Sequence, residues 1–156
     1  MDELRVPKRR VPVDVTLPGG ATRRVTLFLA DAAEAHGGPE RPSDLLNAHR
    51  EFIPAFDEAD AKMTFLNRAG VVLIRVPLAL EPTIDDDVTL PTEHEVEVRL
   101  RDGTTLTGIV SYLRPPERAR LVDFLNDPAP FLRLLEGDAI ALVNKRHVSR
   151  VALLSR

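Results

Sequence analysis

Two short clusters of basic side chains are the residues of this sequence whose chemistry is best suited to hold a ligand. The first cluster is Arg5, Arg9 and Arg10, and the second is Lys145, Arg146 and His147. Guanidinium groups pair with phosphate oxygens through a planar fork, and a neighbouring lysine or histidine adds positive charge. Both clusters are therefore candidate sites for a ligand or a partner, although an exposed basic turn is also a common feature of protein surfaces.

The remaining polar residues do not form a pattern typical of an active site or a metal centre. The four histidines are His36, His49, His94 and His147. They are not spaced as metal ligands, and the chain has no cysteine. Motifs for a serine nucleophile, a phosphate-binding glycine loop or a zinc protease are absent from the sequence. The acidic cluster Asp57, Glu58 and Asp60 is predicted to keep a loop soluble. We therefore expect no catalysis, no metal and no cofactor.

The composition is that of an ordinary soluble globular protein. The chain has 156 residues, a formal net charge of −3, and 44% hydrophobic residues. Only 4% of the residues are aromatic, and the isoelectric point is about 5.8, which argues against a surface that binds nucleic acid. No apolar run approaches the ~20 residues of a membrane span, and the first residues lack the pattern of a signal peptide. We expect a cytoplasmic protein with no membrane partner.

The elements that must position these residues come from an internal repeat. Three segments return in the same order: Val13–Leu17 as Val96–Leu100, Arg41–Asn47 as Arg120–Asn126, and Phe65–Arg68 as Leu142–Lys145. The offset falls from 83 to 79 and then to 77 residues, so the differences in length lie in two loops. Ordered self-similarity of this kind is the signature of a repeated structural unit. We predict an internal duplication.

Each repeat is predicted to have the order ββ-α-ββ. Alternating valine and leucine residues on either side of Gly19-Gly20 and of Asp102-Gly103 predict a β-hairpin at the start of each repeat. A short helix follows each hairpin. Two further strands, which contain Met63 to Val76 in the first repeat and Ala139 to Leu154 in the second, complete the unit.

The predicted helices assign several side chains to the core. In the first helix Ser43 is the expected N-cap, and Leu45, Leu46 and Phe52 are spaced to face the core. The corresponding residues of the second helix are Val122, Phe124 and Leu125.

Two pairs of asparagines occupy equivalent positions in the repeats. Asn47 and Asn126 end the short helices, where asparagine can cap carbonyl groups. Asn67 and Asn144 lie in the turn between the last two strands, where asparagine suits a positive φ. A pair of related ligand sites is the alternative, but structural roles explain all four residues without further assumption.

An acidic segment separates the repeats. Residues 79–93 contain five acidic and no basic residues, including the run from Asp85 to Asp87. The spacing of a calcium-binding loop is absent, so we interpret the segment as a solvated linker. The predicted organisation is a basic arm at 1–10, a first repeat at 11–78, the linker at 79–93 and a second repeat at 94–156.

Two segments of the second repeat resemble an Sm-like small barrel. Residues 95–112 resemble its opening hairpin, in which a Val-x-Val-x-Leu strand meets an Asp-Gly turn and a strand that bears a glycine, here Gly108. Residues 141–151 are similar to the last hairpin of the bacterial Sm-like RNA chaperone, where a basic turn with a histidine joins two short strands. The resemblance implies RNA binding and a bent barrel of the Sm-like or SH3-like kind, with Gly108 at the bend. The helical insert between the hairpins departs from that family. The duplicated unit is also similar to small domains of many bacterial proteins, for which no activity is implied.

The N-terminal arginines support a second resemblance. Arg5 and Arg9 match the Arg-x-x-x-Arg motif that precedes the first strand of the PilZ family of cyclic dinucleotide receptors. The second motif of that family is similar to the segment from Asp31 to Ala33, but the glycine it requires at position 36 lies one residue later, at Gly37. The resemblance implies binding of a cyclic dinucleotide.

These observations together predict an α+β, mostly β protein of two tandem small-barrel-like ββ-α-ββ repeats, packed about a pseudo-twofold axis. The predicted function is a non-catalytic binding or regulatory module that engages protein, because small barrels leave strand edges open to partner segments. The alternative is a cyclic dinucleotide or RNA binder that uses the two basic clusters. Association between copies of the chain is left open.

Overall fold

The computed structural model describes residues 8–33, 37–82, 90–118 and 120–154, and shows a mostly β protein. Strands make up 52% of the structure and helical segments 16%. The predicted fold class is confirmed at this level.

The described residues of each half of the chain form five strands. In the first half they are β1 (Lys8–Thr16), β2 (Thr22–Ala30), β3 (Phe52–Asp57), β4 (Lys62–Asn67) and β5 (Leu73–Pro77). In the second half they are β6 (Thr92–Leu100), β7 (Thr105–Tyr112), β8 (Phe131–Glu136), β9 (Ala139–Asn144) and β10 (Val148–Leu153). The α-helices are α1 (Pro42–Asn47) and α2 (Leu121–Leu125), and 3-10 turns cover Arg68–Gly70, Leu78–Leu80, Pro116–Arg118 and Lys145–His147.

The hairpin that opens each half forms where the sequence predicts it. β1 and β2 alternate buried and exposed residues, as a strand with one face on the core requires. Gly19 and Gly20 turn the chain between them with φ values of 91° and 88°, and Gly103 does the same between β6 and β7 with a φ of 94°. These are left-handed conformations that favour glycine.

All ten strands form one antiparallel sheet. Its order is β10-β6-β7-β8-β9-β5-β1-β2-β3-β4, which leaves β10 and β4 at the two edges. The halves join where β5 pairs with β9, with Leu73 opposite Val143 and Pro77 opposite Ala139. A twofold axis at this junction would pair identical strands, whereas the junction pairs the fifth strand of one half with the fourth strand of the other. The halves are therefore joined head to tail, which does not match the predicted pseudo-twofold axis.

The predicted order of elements, ββ-α-ββ, is wrong by one strand in each half, because β3 and β8 were not expected. Pro54 lies inside β3, and proline usually argues against a strand because it has no N–H to donate. Here β2 pairs only with Ala55, Phe56 and Asp57 of β3, so Pro54 lies outside that pairing. The same strand begins at Phe52, which was expected to face the core and is instead 53% exposed.

The two helices are short, and their ends differ from the expectation. α1 begins after Arg41 with Pro42 in its first turn, where the fixed φ of proline suits a helix start. Ser43 is therefore not the N-cap. Leu45 and Leu46 are buried as predicted.

In α2 the expected core face is only partly correct. Phe124 and Leu125 pack against the second core cluster, whereas Val122 is half exposed.

The hydrophobic core consists of two clusters that exchange side chains across the junction. The first cluster lies in the first half but includes Phe131, Ile140 and Leu142 from the second half. The second cluster lies in the second half but includes Val72 and Leu73 from the first. This exchange follows from the strand period of two, because successive residues of β5 and β9 point to opposite faces of the sheet. Each half therefore covers part of the core of the other.

Gly108 lies where β7 approaches β8 closely. The two strands are paired at Ile109 and Leu135, and a Cβ atom on Gly108 would overlap the Leu135 carbonyl oxygen and the Leu134 side chain. The close approach explains why position 108 is a glycine, because no larger residue fits there.

We expect Gly108→Ala to lower the free energy of unfolding by about 1–3 kcal/mol, because the added methyl group forces the two strands apart. The measurement is urea unfolding followed by circular dichroism. Gly70→Ala is the control, since a Cβ atom at Gly70 would meet no other atom within 4 Å. Equal stability of the two variants would contradict the close approach of β7 and β8.

Candidate functional site

Of the N-terminal basic cluster, the structure describes Arg9 and Arg10, which are adjacent residues of β1. Arg5 lies outside the described residues. Arg9 is partly buried, and its Nη2 donates a hydrogen bond to the Glu40 carbonyl oxygen at 3.0 Å. Arg10 is exposed and borders a groove that also contains Phe28 and Phe56. Because the side chains of adjacent strand residues point to opposite faces of the sheet, Arg9 and Arg10 cannot both bind the same ligand.

The second basic cluster is used largely for contacts within the chain. Lys145 Nζ donates to the carboxylate of Asp127 at 3.0 Å and to its carbonyl oxygen at 3.1 Å. His147 Nε2 lies 2.9 Å from the Ala69 carbonyl oxygen, so this ring nitrogen is the donor. Arg146 borders a cavity of about 290 Å³ between the 3-10 turns at Arg68–Gly70 and Lys145–His147. Of the three predicted residues, the structure leaves Arg146 best placed to meet a ligand.

Asn67 and Asn144 have matching roles at the ends of β4 and β9. The Asn67 side-chain oxygen accepts a hydrogen bond from the Ala69 N–H at 2.9 Å, and that of Asn144 accepts one from the Arg146 N–H at 3.0 Å. Their φ values are −73° and −69°, so the predicted positive φ is wrong. The structural role expected for them agrees with these contacts.

Asn144 also joins the two halves of the chain. Its side chain is buried, and its amide nitrogen donates to the Val71 carbonyl oxygen at 2.9 Å. Its backbone N–H donates to the Val72 carbonyl oxygen at 2.9 Å. A second contact across the junction is the hydrogen bond from the Phe131 N–H to the Asn47 side-chain oxygen at 2.9 Å. Asn144 therefore holds the β5–β9 junction in register, and Asn47 joins α1 to the start of β8.

The acidic cluster before β4 is only partly a solubilising loop. Asp57 is buried, and its carboxylate accepts a hydrogen bond from Arg23 Nε at 2.6 Å. This hydrogen bond lowers the pKa of Asp57. Arg23 also reaches Asp60 at 2.8 Å. These carboxylates therefore fix the turn between β3 and β4.

Glu81 is the most deeply buried acidic residue of the described chain. Its carboxylate accepts hydrogen bonds from the Ser43 N–H at 2.6 Å and from the Ser43 hydroxyl at 2.8 Å, which ties Glu81 to α1. Glu81 belongs to the segment at 79–93 that was expected to be solvated, yet its side chain is buried. Arg133 of β8 donates to the Glu81 carbonyl oxygen at 2.5 Å. Burial raises the pKa of Glu81, and the two hydrogen bonds from Ser43 oppose that rise. Beside it lies a cavity of about 140 Å³ that Tyr112 also borders.

The largest unexplained feature is a set of exposed apolar side chains on β3 and β4. Phe52, Met63 and Phe65 are 53%, 50% and 64% exposed, and we call them the β4 surface. β4 is an edge strand. Because the Arg68 N–H donates to the Glu51 carbonyl oxygen and N–H direction alternates along a strand, the Phe65 N–H points away from the sheet.

Sequence reasoning missed the β4 surface. Alternation along β4 predicts a strand with an apolar face, and an apolar face is normally assigned to the core. The signal that could have found it is the edge position, and edge position depends on which strands pair.

Comparison with protein-family models, curated proteins and solved structures found no match for this chain. Among the described residues, no three histidine or acidic side chains are grouped so that they could hold a metal ion. No helix in the described part of the chain is long and apolar enough to cross a membrane.

The pKa of Glu81 predicts how stability depends on pH. Because its pKa is higher in the folded protein than the ordinary value of 4.5, the folded state binds this proton more tightly than the unfolded chain does. The resulting stabilisation is complete below the ordinary pKa and is lost as the pH rises through the raised value. We expect Glu81→Gln, which cannot ionise, to flatten this decline of the unfolding free energy above about pH 4.5, as measured by urea unfolding at a series of pH values. The exposed Glu117→Gln is the control, and a slope unchanged by Glu81→Gln would contradict the assignment.

Proposed function

We propose that this chain is a non-catalytic protein-binding module of two tandem small-barrel-like repeats, and that it binds its partner at the β4 surface. The observation that carries the proposal is the exposure of Phe52, Met63 and Phe65 together at one edge of the sheet. Large apolar side chains grouped at an open edge are typical of a protein-interaction site.

The strand order supports the tandem repeats. Within the sheet, the first half runs β5-β1-β2-β3-β4 and the second half runs β10-β6-β7-β8-β9. The five strands of each half therefore follow the same order. The repeated sequence segments fall in equivalent elements, since the segment at 65–68 leaves β4 as the segment at 142–145 leaves β9.

The β4 edge has the chemistry needed for strand addition by a protein. An added strand would form main-chain hydrogen bonds with the outward N–H and C=O groups of β4, and alternate side chains would meet Met63 and Phe65. Natural edge strands usually carry charges or prolines that prevent such pairing. Within β4 the only charged residue is Lys62, at its first position, and the strand has no proline.

The groove beside Arg10 extends this surface across the outer face of the sheet. Thr26 is paired with Phe56, and Phe56 with Met63, so the groove and the β4 edge are continuous. The groove has a volume of about 340 Å³. A partner that pairs with β4 can therefore also bury an apolar side chain against Phe28 and Phe56.

The experiment places a photo-crosslinking amino acid at Phe65 of the full chain in living cells. We expect irradiation to give a discrete crosslinked product that contains a protein, identified by mass spectrometry. The matched control has the same amino acid at Thr104, an exposed residue of the turn between β6 and β7. Absence of a product specific to position 65 would refute the protein-binding function.

The alternative function is binding of RNA or of a cyclic dinucleotide. It is favoured by one observation, the cavity between the 3-10 turns that contains Arg146 beside Asn67 and Arg68. Salt would weaken phosphate binding by Arg146, because binding releases the cations that surround the anionic ligand and this release is less favourable at high salt concentration.

Arg146→Glu tests this alternative. If the cavity binds polyanions, the wild type is expected to bind polyuridine or cyclic di-guanylate with an affinity that falls steeply with salt, and Arg146→Glu to bind at least ~10-fold more weakly. Fluorescence anisotropy of labelled ligand is the measurement, and the exposed Arg99→Glu controls for net charge. Equal binding by the two variants would exclude the cavity as the site.

A further inference from the structure

We propose that the partner of the β4 surface is a second copy of this chain, which pairs its β10 edge with β4 and so repeats the β5–β9 junction between molecules. The inference rests on the proposed function, because it names the protein that the β4 surface binds. In this proposal the β4 and β10 edges of neighbouring molecules pair as β9 and β5 pair within one molecule.

The two free edges correspond to the two strands of the internal junction. In the order of strands across the sheet, β4 is the last strand of the first half and β9 is the last strand of the second half. At the other end of each half, β5 lies beside β1 and β10 lies beside β6. The registers agree as well, since Ile74 pairs with Val15 and Val151 pairs with Val98. A shift of 77 residues therefore places Ile74 on Val151 and Leu142 on Phe65.

Residues of β8 and β9 are buried where their counterparts in β3 and β4 are exposed, as expected if β4 lacks a neighbouring strand. Phe131, Ile140 and Leu142 are 4%, 0% and 1% exposed because they are covered by the first half. Their counterparts in the first half are Phe52, Met63 and Phe65, which are 53%, 50% and 64% exposed. The β4 surface is thus the set of residues whose counterparts are buried at the internal junction.

The β10 side lacks the cover that the β5 side has. In the first half Leu45, Leu46, Val71 and Ile74 are buried in the core. Their counterparts Phe124, Leu125, Val148 and Val151 are only partly buried around the second core cluster. At the edge itself Leu153 is 51% exposed, whereas its counterpart Val76 is 2% exposed. A strand with apolar side chains placed on β10 would complete the second core cluster, as β9 completes the first.

The hydrogen-bonding groups at the two edges are also arranged for this contact. The Lys145 N–H donates to the Pro130 carbonyl oxygen, so the N–H of Leu142 points towards β5, and the N–H of Phe65 points off the edge in the same way. Directly after β10 the Leu154 N–H donates to the Glu95 carbonyl oxygen, so the N–H of Leu153 points off the opposite edge. Asn67 has the turn geometry of Asn144, whose amide reaches a carbonyl oxygen across the junction.

The register of the contact between molecules follows from the internal one. Ile74 lies opposite Leu142 and Val76 opposite Ile140, so Val151 of one copy should lie opposite Phe65 of the next, and Leu153 opposite Met63. The contact is head to tail, and every added copy again leaves one free β4 and one free β10. Assembly of this kind stops only when a ring closes.

Proline substitutions at outward N–H positions test the contact while sparing the pairing within each chain. We expect the wild type to have a mass in native mass spectrometry and light scattering that is a fixed multiple of 17.3 kDa. Phe65→Pro on β4 and Leu153→Pro on β10 should each be monomeric, since each blocks one edge. Mixing the two variants should give a 1:1 dimer and nothing larger, because one retains β10 and the other retains β4.

Leu90→Pro is the matched control and should assemble like the wild type, since this residue is 91% exposed and lies outside both edges. Circular dichroism of each variant reports folding, and Phe65→Lys replaces Phe65→Pro if the proline variant unfolds. A monomeric wild type, an assembled Phe65 variant, or a mixture of folded variants that stays monomeric would each overturn the proposal. A crosslink from position 65 to a different protein would refute the second copy as partner and leave the protein-binding function standing, whereas no crosslink would refute both.

Discussion

The pairing of β5 with β9 is the contact on which the rest of this structure depends. It makes one ten-stranded sheet from two sets of five strands, and it lets each half place side chains in the core of the other. Asn144 stabilises the pairing from inside, because its buried amide has a partner only while Val71 and its neighbours stay in register. A buried amide that loses such a partner costs about 1–3 kcal/mol, so a shifted register is unfavourable.

Contacts within the folded chain determine which polar residues remain available for binding. Lys145 and His147, both candidates for anion binding, hold the turn between β9 and β10 against Asp127 and Ala69. Arg9 is likewise engaged with Glu40. Charged side chains that resemble a ligand site in the sequence thus make contacts within the folded chain. The exposed apolar side chains of the β4 surface have no such structural role within the described chain.

Much of the local structure could be predicted because it depends on neighbouring residues alone. Glycine turns and period-two alternation identified both opening hairpins, and the spacing of Leu45 and Leu46 identified the buried face of α1. Gly108 was expected at a bend, and what the structure shows at this position is the close approach of Leu135. β3 was missed because a proline at position 54 argues against a strand more strongly than the alternation around it argues for one. Pro54 is tolerated because β2, which would accept a hydrogen bond from an N–H at this position, pairs only with Ala55, Phe56 and Asp57.

The sequence by itself determined where most of the strands and the two glycine turns form, and it predicted that segments of the two halves correspond. It could not determine which strands become neighbours. Phe65 and Leu142 occupy matching positions in strands of similar pattern, yet one is 64% exposed and the other 1%. The difference is decided only by tertiary structure, because β9 has β5 beside it, whereas no described strand lies on the outer side of β4. Burial depends on what lies across the sheet, and that neighbour is distant in the chain.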